Sequence, residues 1–440
     1  MTEVGHRAID RELVRLALPA LGAVLAEPLF LIADSAIVGH LGTPELAGLG
    51  VASAVLLNAV MLCIFLAYGT AATVARRAGS GDVRAALTQG IDGLWLAAAI
   101  GVALAVVGLP LATILVDLFG TSASATPHAV VYLRISLIGV PSMLVVLAAT
   151  GVMRGLKDTR TPLVVVAVSA AANVILNLVL VYPVGLGVAG SALGTVLAQT
   201  GAAGWMTAVV VRRARAHGAP LSPGRAGIVA AAAAGVPLLA RTALLRVTVL
   251  GMTFVATAQG DVAIASHQIA YTLWFLLATP PEAFAIAGQA MVGHALGAGD
   301  RNGARAIARR AIVWGLGIGL AAAAFLVVLR AVYIPLFTPD AAVQDLAWSL
   351  ALVVAATQPV GAAVYVLDAI LIAAEDGRFL AWSMLVSVLV FLPLAGAVLV
   401  TEAGVVVLWW ALVAWLLARL VTIAYRYRSG TWLRVDATTA

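Results

Sequence analysis

The chain is a series of long apolar runs divided by short polar connections. A helix needs about 20 apolar residues to cross the hydrocarbon core of a bilayer. Twelve runs reach that length, at about 14–39, 46–75, 86–116, 128–153, 162–183, 188–211, 227–257, 263–295, 306–334, 342–373, 379–400 and 404–425. Glycine and proline punctuate the connections, as in LGTPE, AGSGD, YPVGLG, APLSPG, LGAGD and EDG. No connection is long enough for a soluble domain. The pattern predicts an all-α integral membrane protein of twelve transmembrane helices.

Composition sharpens this. Of 440 residues, 63% are hydrophobic and 10% charged, against about a quarter charged in soluble domains. So much apolar surface needs lipid as its solvent. The single cysteine, Cys63, excludes a disulfide framework or a cysteine-based metal cluster. The net charge of +6 raises the question of nucleic acid, but the distribution of Lys and Arg answers it. They crowd at the N-terminus (Arg7, Arg11, Arg15), at the C-terminus, and in every even-numbered connection, such as Arg76, Arg77 and Arg84 or Arg301, Arg305, Arg309 and Arg310. The odd-numbered connections hold none. By the positive-inside rule both termini are expected in the cytoplasm, and the basic balance reads as topology and attraction to anionic lipid. No nucleic-acid partner is expected, and the first apolar segment is expected to stay as a helix, not to be cleaved as a signal peptide.

Sliding the chain along itself reveals one register, an offset of 218 residues. Pro19 meets Pro237, Gly81-Asp82 meets Gly299-Asp300, Leu118-Phe119 meets Leu336-Phe337, Pro141 meets Pro359, Asp158 meets Asp376 and Arg160 meets Arg378. Each copy holds six spans. Two six-helix lobes of like orientation are therefore expected, related by a pseudo-two-fold axis along the membrane normal. The expected boundaries are 1–211 for the first lobe, 212–226 for a cytoplasmic linker and 227–440 for the second lobe with a short tail.

Ionisable residues inside spans cost at least ~2.5–3.5 kcal/mol on insertion scales and mark function. The candidates are Glu27, Asp34, Arg241, Arg246, His267, Glu282 and Asp368. The repeat supplies a control. Asp34 corresponds to Met252, Asn173 to Phe391, Asn177 to Ala395 and Thr195 to Val413, so these four polar groups are not needed to build a lobe. Counted from the nearest extracellular helix end, Asp34, Asn177 and Thr195 lie roughly 8–11 Å deep, with Asn173 one turn deeper on the face of Asn177. One acid with three neutral oxygen-bearing side chains suits Na⁺ or a carboxyl group that gains and loses a proton. The alternatives stay open: Asp34 as an exposed helix-end acid, and the asparagines and threonine as interhelical contacts. Glu27 lies on nearly the same helix face as Asp34 and lines the same cavity or sits on the cytoplasmic side of the barrier. In the second half, Glu282 is expected to pair with Arg241. Asp368 falls near the cytoplasmic end of its span and His267 near the outer end of its own. Pro19 and Pro28 weaken the first span, as bending points or static kinks.

The stretches LALPA…EPLFLIADSAIVGHLGT (16–43), GVMRGLKDTRTPL (151–163), SHQIA (266–270), FAIAGQAMVGHALGAGD (284–300) and VLDAILIAAEDGRF (366–379) resemble the multidrug and toxic compound extrusion (MATE) family in its DinF-like branch. The resemblance covers essentially the whole chain. It implies two six-helix lobes around a V-shaped cavity and antiport of substrate against H⁺ or Na⁺. It also implies that Asp34 is the coupling acid of the first helix, that Asn173, Asn177 and Thr195 occupy cation-site positions, and that Pro19 is the bending proline. Family members often carry aspartate where Asn177 stands. Its absence removes a negative charge and tilts the reading from Na⁺ to H⁺. Glu282 stands where the branch often has aspartate.

The expected function is export of small hydrophobic or cationic organic compounds in exchange for H⁺, with Na⁺ possible at Asp34, Asn173, Asn177 and Thr195. No cofactor is expected, and the chain is expected to act as a monomer in the cell membrane. The alternative is a flippase for a lipid-linked or amphipathic substrate, with Arg241 and Arg246 as the basic groups for phosphate. An enzyme is not expected, since the histidines are scattered and no HExxH or catalytic acid pair occurs.

Overall fold

A computed structural model describes residues 3–433, leaving aside the side chains of residues 3, 4 and 27–30. The described residues contain no strand. Their helices are α1 (Glu3–Gly39), α2 (Thr43–Leu62), α3 (Phe65–Gly79), α4 (Val83–Asp117), α5 (Thr126–Gly155), α6 (Arg160–Val181), α7 (Gly187–Ala216), α8 (Arg225–Ala258), α9 (Asp261–Gly297), α10 (Arg301–Val328), α11 (Arg330–Phe337), α12 (Ala341–Ala373), α13 (Gly377–Thr401) and α14 (Val405–Arg428). By length and composition they supply 12 membrane spans, with α2 and α3 forming one. The ninth apolar run, expected to be continuous, breaks at Leu329 before the short α11.

The α2–α3 break is a tightened turn. Cys63, Ile64, Leu66 and Ala67 each donate to the carbonyl three residues earlier, the 3₁₀ pattern. In the repeat register the same place in α9 holds Pro280 and Pro281. Both copies thus weaken their second span at one level by different means.

The repeated anchors have physical causes. In each Gly-Asp turn the glycine takes a left-handed conformation (φ +86° at Gly81, +75° at Gly299) and ends one helix. The aspartate then caps the next, accepting from Ala85 N–H at 2.8 Å or Gly303 N–H at 2.7 Å. Pro141 on α5 and Pro359 on α12 each press on a glycine of the neighbouring helix. A Cβ on Gly101 would lie 2.4 Å from Pro141 Cα, and one on Gly319 2.8 Å from Pro359 Cα. Gly101 and Gly319 are themselves 218 apart, so the close crossing of α4 on α5 recurs as α10 on α12.

The helices gather into two compact units. One is Gly22–Gly235; the other joins Met1–Leu21 to Val236–Ala440. The boundaries fall inside α1 and α8, beside Pro19 and Pro237. In the first unit, α5 packs on α2, α3, α4 and α7, and α6 on α7. The segment leading into α8 also belongs here: Asp92 Oδ1 accepts from Gly224 N–H at 2.7 Å, and Trp95 Nε1 donates to the Leu221 carbonyl at 3.1 Å. In the second unit, α12 packs on α9, α10 and α14. The early part of α1 is clasped there, with Asp10 accepting from Arg310 Nε (2.8 Å) and Nη2 (2.5 Å) and from Trp314 Nε1 (3.0 Å). Asp92 and Arg310, the two gripping residues, occupy the same position of the repeat.

Candidate functional site

In the first unit, four helices bring six polar side chains to one place. Asp34 projects from α1, Tyr132 from α5, Asn173 and Asn177 from α6, and Ser191 and Thr195 from α7. None is more than 3% exposed. Asp34 Oδ1 accepts from Asn177 Nδ2 at 2.8 Å and from Ser191 Oγ at 2.5 Å, and Oδ2 accepts from the Tyr132 hydroxyl at 3.0 Å. Asn177 Nδ2 also donates to Asn173 Oδ1 at 3.1 Å. Asn173 Nδ2 in turn donates to Thr195 Oγ1 at 3.0 Å, and Thr195 donates to the Ser191 carbonyl at 3.0 Å.

The helical spacing makes this possible. Asn173 and Asn177, like Ser191 and Thr195, are four apart and stack on one face. Gly194 gives the cluster room, because a Cβ there would lie 2.0 Å from Asn177 Oδ1. That oxygen is shielded and accepts no hydrogen bond from the described residues. Burial works against the charged form of a carboxyl group, whereas three donors work for it. The site therefore opposes two large influences on one proton.

The structure thus brings Asp34, Asn173, Asn177 and Thr195 together and adds Tyr132 and Ser191, which the sequence reading did not single out. The repeat comparison held the signal for both, since Ser191 corresponds to Trp409 and Tyr132 to Leu350. Pro19 lies within α1. The side chains of Glu27 and Pro28 are outside the described residues.

The second unit holds a different cluster. Asp368 on α12 is 3% exposed and accepts from two guanidinium groups, Arg241 on α8 at Oδ2 and Arg419 on α14 at Oδ1, the latter at 2.5 Å. Arg419 also donates to Met384 Sδ at 3.0 Å. The expected Arg241–Glu282 pair is corrected: Arg241 takes Asp368, because α8, α12 and α14 converge there. Glu282, on α9, is half-buried; Tyr365 lies within electrostatic reach of Glu282, Arg419 and Asp368. Arg246 is half-buried and makes no ion pair among the described residues. His267 is buried, with ring centroids 6.1 Å from Tyr271 and 5.8 Å from Trp409.

Outside the spans, Asp158 follows Lys157, whose φ of +59° is matched by Glu375 one repeat later. Burial would push the Asp158 carboxyl up, but the amide and hydroxyl of Thr161 and the Arg213 guanidinium hold it below its ordinary value. Its repeat equivalent, Asp376, accepts from Arg426 Nε at 2.6 Å.

Comparison with known proteins agrees with this architecture. The MatE family profile matches residues 19–179 and again 237–396, two copies displaced by the register of the internal repeat. The chain is 30% identical to Protein DETOXIFICATION 44, chloroplastic, of Arabidopsis thaliana, covering 97% of this chain and 84% of that one. It is 27% identical to DNA damage-inducible protein F of Escherichia coli, covering 66% and 64%. In fold it resembles a multidrug resistance MATE family transporter of the MOP superfamily in an outward-facing conformation, with a TM-score of 0.85, 21% identity and coverage of 97% and 96%. The chain belongs to the MatE family and is a twelve-span membrane transporter of the multidrug efflux kind, not an enzyme.

Proposed function

We propose that the protein exports small hydrophobic or cationic organic compounds across the cell membrane in exchange for protons, with both termini in the cytoplasm and Asp34 as the coupling acid. The observation that carries this is a buried carboxylate held by donors from three other helices. A proton arriving at Asp34 removes the charge those donors hold and obliges at least one of them to turn. The Ser191 hydroxyl can rotate to accept, whereas Asn177 Nδ2 is fixed between two oxygens. The loading state thereby changes how α1 is bound to α5, α6 and α7. A ligand shifts a conformational equilibrium only through such a difference in affinity between states.

The charge of the cluster supports H⁺ over Na⁺. Asp34 is the one carboxylate among its six side chains, and a sodium ion bound there would depend on neutral oxygens for every other ligand.

In proteoliposomes, Asp34→Asn is expected to abolish efflux driven by a pH gradient while the protein keeps its elution profile in detergent. Undiminished coupled transport in that variant rules out the mechanism. Everted vesicles given a pH gradient or a Na⁺ gradient separately identify the ion.

A further inference from the structure

The helix that carries Asp34 is one continuous α1 shared by two units. Its residues up to Leu21 belong to the second unit and those from Gly22 onward to the first. Burial along it follows the same division. Leu13, Leu16, Ala17 and Ala20 are buried, at helical steps from Asp10, and so are Asp34, Ile37 and Val38. Leu21 to Ala26, between these groups, are all half-buried. The helix is thus held firmly toward both ends and loosely between them, next to Pro19, which removes a backbone donor. Asp10 and Asp34 stand about 36 Å apart along its axis.

The grip on the second unit is polar and directional. Asp10 receives Nε and Nη2 of Arg310 and the indole Nε1 of Trp314. A guanidinium fork fixes a carboxylate in direction as well as in position. Arg310 and Trp314 are one turn apart on one face of α10, and the Trp314 ring stacks on Phe284 of α9 with centroids 5.2 Å apart. The ion pair is partly open to solvent, 28% exposed at Arg310 and 22% at Asp10, so it adds little to stability. What it supplies is placement. The repeat gives a control. Asp10 corresponds to Ile228 and Trp314 to Leu96. α8, the equivalent helix, is held through its backbone instead, by Asp92 on Gly224 N–H. Among the described residues the charged clasp therefore occurs on the helix that carries Asp34 and not on its copy.

We propose that Asp10, Arg310 and Trp314 are positioning residues, through which the loading state of Asp34 reaches the second unit. A change at Asp34 alters how one end of α1 is held in the first unit. With the other end pinned, that change passes along α1 to α9 and α10. With the other end free, α1 shifts or turns alone and the change stops there. The inference rests on the function proposed above, in that it takes Asp34 as the group that is loaded.

The test uses the full chain in nanodiscs, in a Cys63→Ala background, with spin labels at Ser124→Cys and Ala342→Cys, exposed and equivalent positions of the two copies. The distance between labels is measured at pH 8 and pH 5. Proton uptake at Asp34 is followed by the infrared carboxyl band that Asp34→Asn removes. The wild type is expected to change distance with pH, and Asp34→Asn is not. Asp10→Asn and Arg310→Gln should each lose most of that change while the Asp34 band still comes and goes with pH. Trp314→Phe, which removes one of three hydrogen bonds, should lose less. Exchanging the charges, Asp10→Arg with Arg310→Asp, should restore part of the response. Ethidium efflux driven by a pH gradient in proteoliposomes should follow the same order. A response that depends on Asp34 but persists in full in Asp10→Asn and Arg310→Gln would overturn this inference and leave the proposed function standing. A response absent from the wild type, or unaltered by Asp34→Asn, would defeat the proposed function and the inference with it. Loss of the titrating band in Asp10→Asn would also overturn the inference, since the clasp would then build the Asp34 site and not transmit its state.

Discussion

The two copies of the six-helix repeat carry the same scaffold and opposite interiors. Moving the six residues of the Asp34 cluster forward by 218 gives Met252, Leu350, Phe391, Ala395, Trp409 and Val413. All six belong to one continuous apolar core in the second unit. The reverse comparison gives the same contrast: Arg241, Asp368 and Arg419 correspond to Ala23, Thr150 and Gly201. The turns, caps and glycine–proline crossings recur because they build the fold. The interior polar groups do not recur, so the fold does not need them.

This contrast can be broken by transplanting the acid. Met252→Asp would set a carboxyl where Asp34 sits in the other copy, but among Phe391, Ala395 and Trp409 in place of amides and a hydroxyl. The expected cost is about 3–5 kcal/mol, that of an unpaired buried charge, read as a large loss of thermal stability and of folded yield in detergent. An unchanged melting temperature would mean that the apolar core is not specific. Gly194→Ala tests the room left for Asn177. With Cβ 2.0 Å from Asn177 Oδ1, it should destabilise by about 1–3 kcal/mol and impair coupled efflux, whereas Gly201→Ala, with open space around it, should do neither.

A finer comparison removes single donors. Ser191→Ala and Tyr132→Phe should each cost about 1.5 kcal/mol or somewhat more, as expected for a hydrogen bond to a charged acceptor. Both should alter the pH dependence of efflux, measured in proteoliposomes across a series of imposed gradients. Trp409→Phe, at the place equivalent to Ser191, removes none of the three donors of Asp34 and should leave that profile unmoved if the protein folds.

The smallest effect is expected at Asp158. Its carboxyl is held below the ordinary value of 3.8, so its contribution to stability is present at neutral pH and is lost as the pH falls below that value through the folded-state pKa. Because Arg213 is partly exposed, the contribution is expected at about 1 kcal/mol or less. Thermal unfolding of the wild type and Asp158→Asn should differ at pH 7 and converge toward pH 3.

Much of this was legible in the linear sequence. Asp34, Asn173, Asn177 and Thr195 stood out because each is polar in one copy and apolar in the other, and because their depths agree. Tyr132 and Ser191 carry the same signal but are residue types common at helix contacts, and nothing in the chain alone says which face of α5 or α7 turns toward Asp34. Arg241 shows the limit from the other side. A buried cation needs a partner, but Glu282 and Asp368 both meet that need in the sequence, and nothing there brings Arg419 to Asp368.

The spans, the duplication and the presence of an acid without a structural duty can all be read from the chain alone. Those follow from hydrophobic length and from one-dimensional register, which the chain carries residue by residue. Who pairs with whom is settled by the packing of the helices in three dimensions. It set three donors on Asp34 and two guanidinium groups on Asp368, and it drew the unit boundaries through α1 and α8 beside Pro19 and Pro237. Partner choice depends on the rotation and crossing of helices far apart in the chain, and no local pattern encodes those angles.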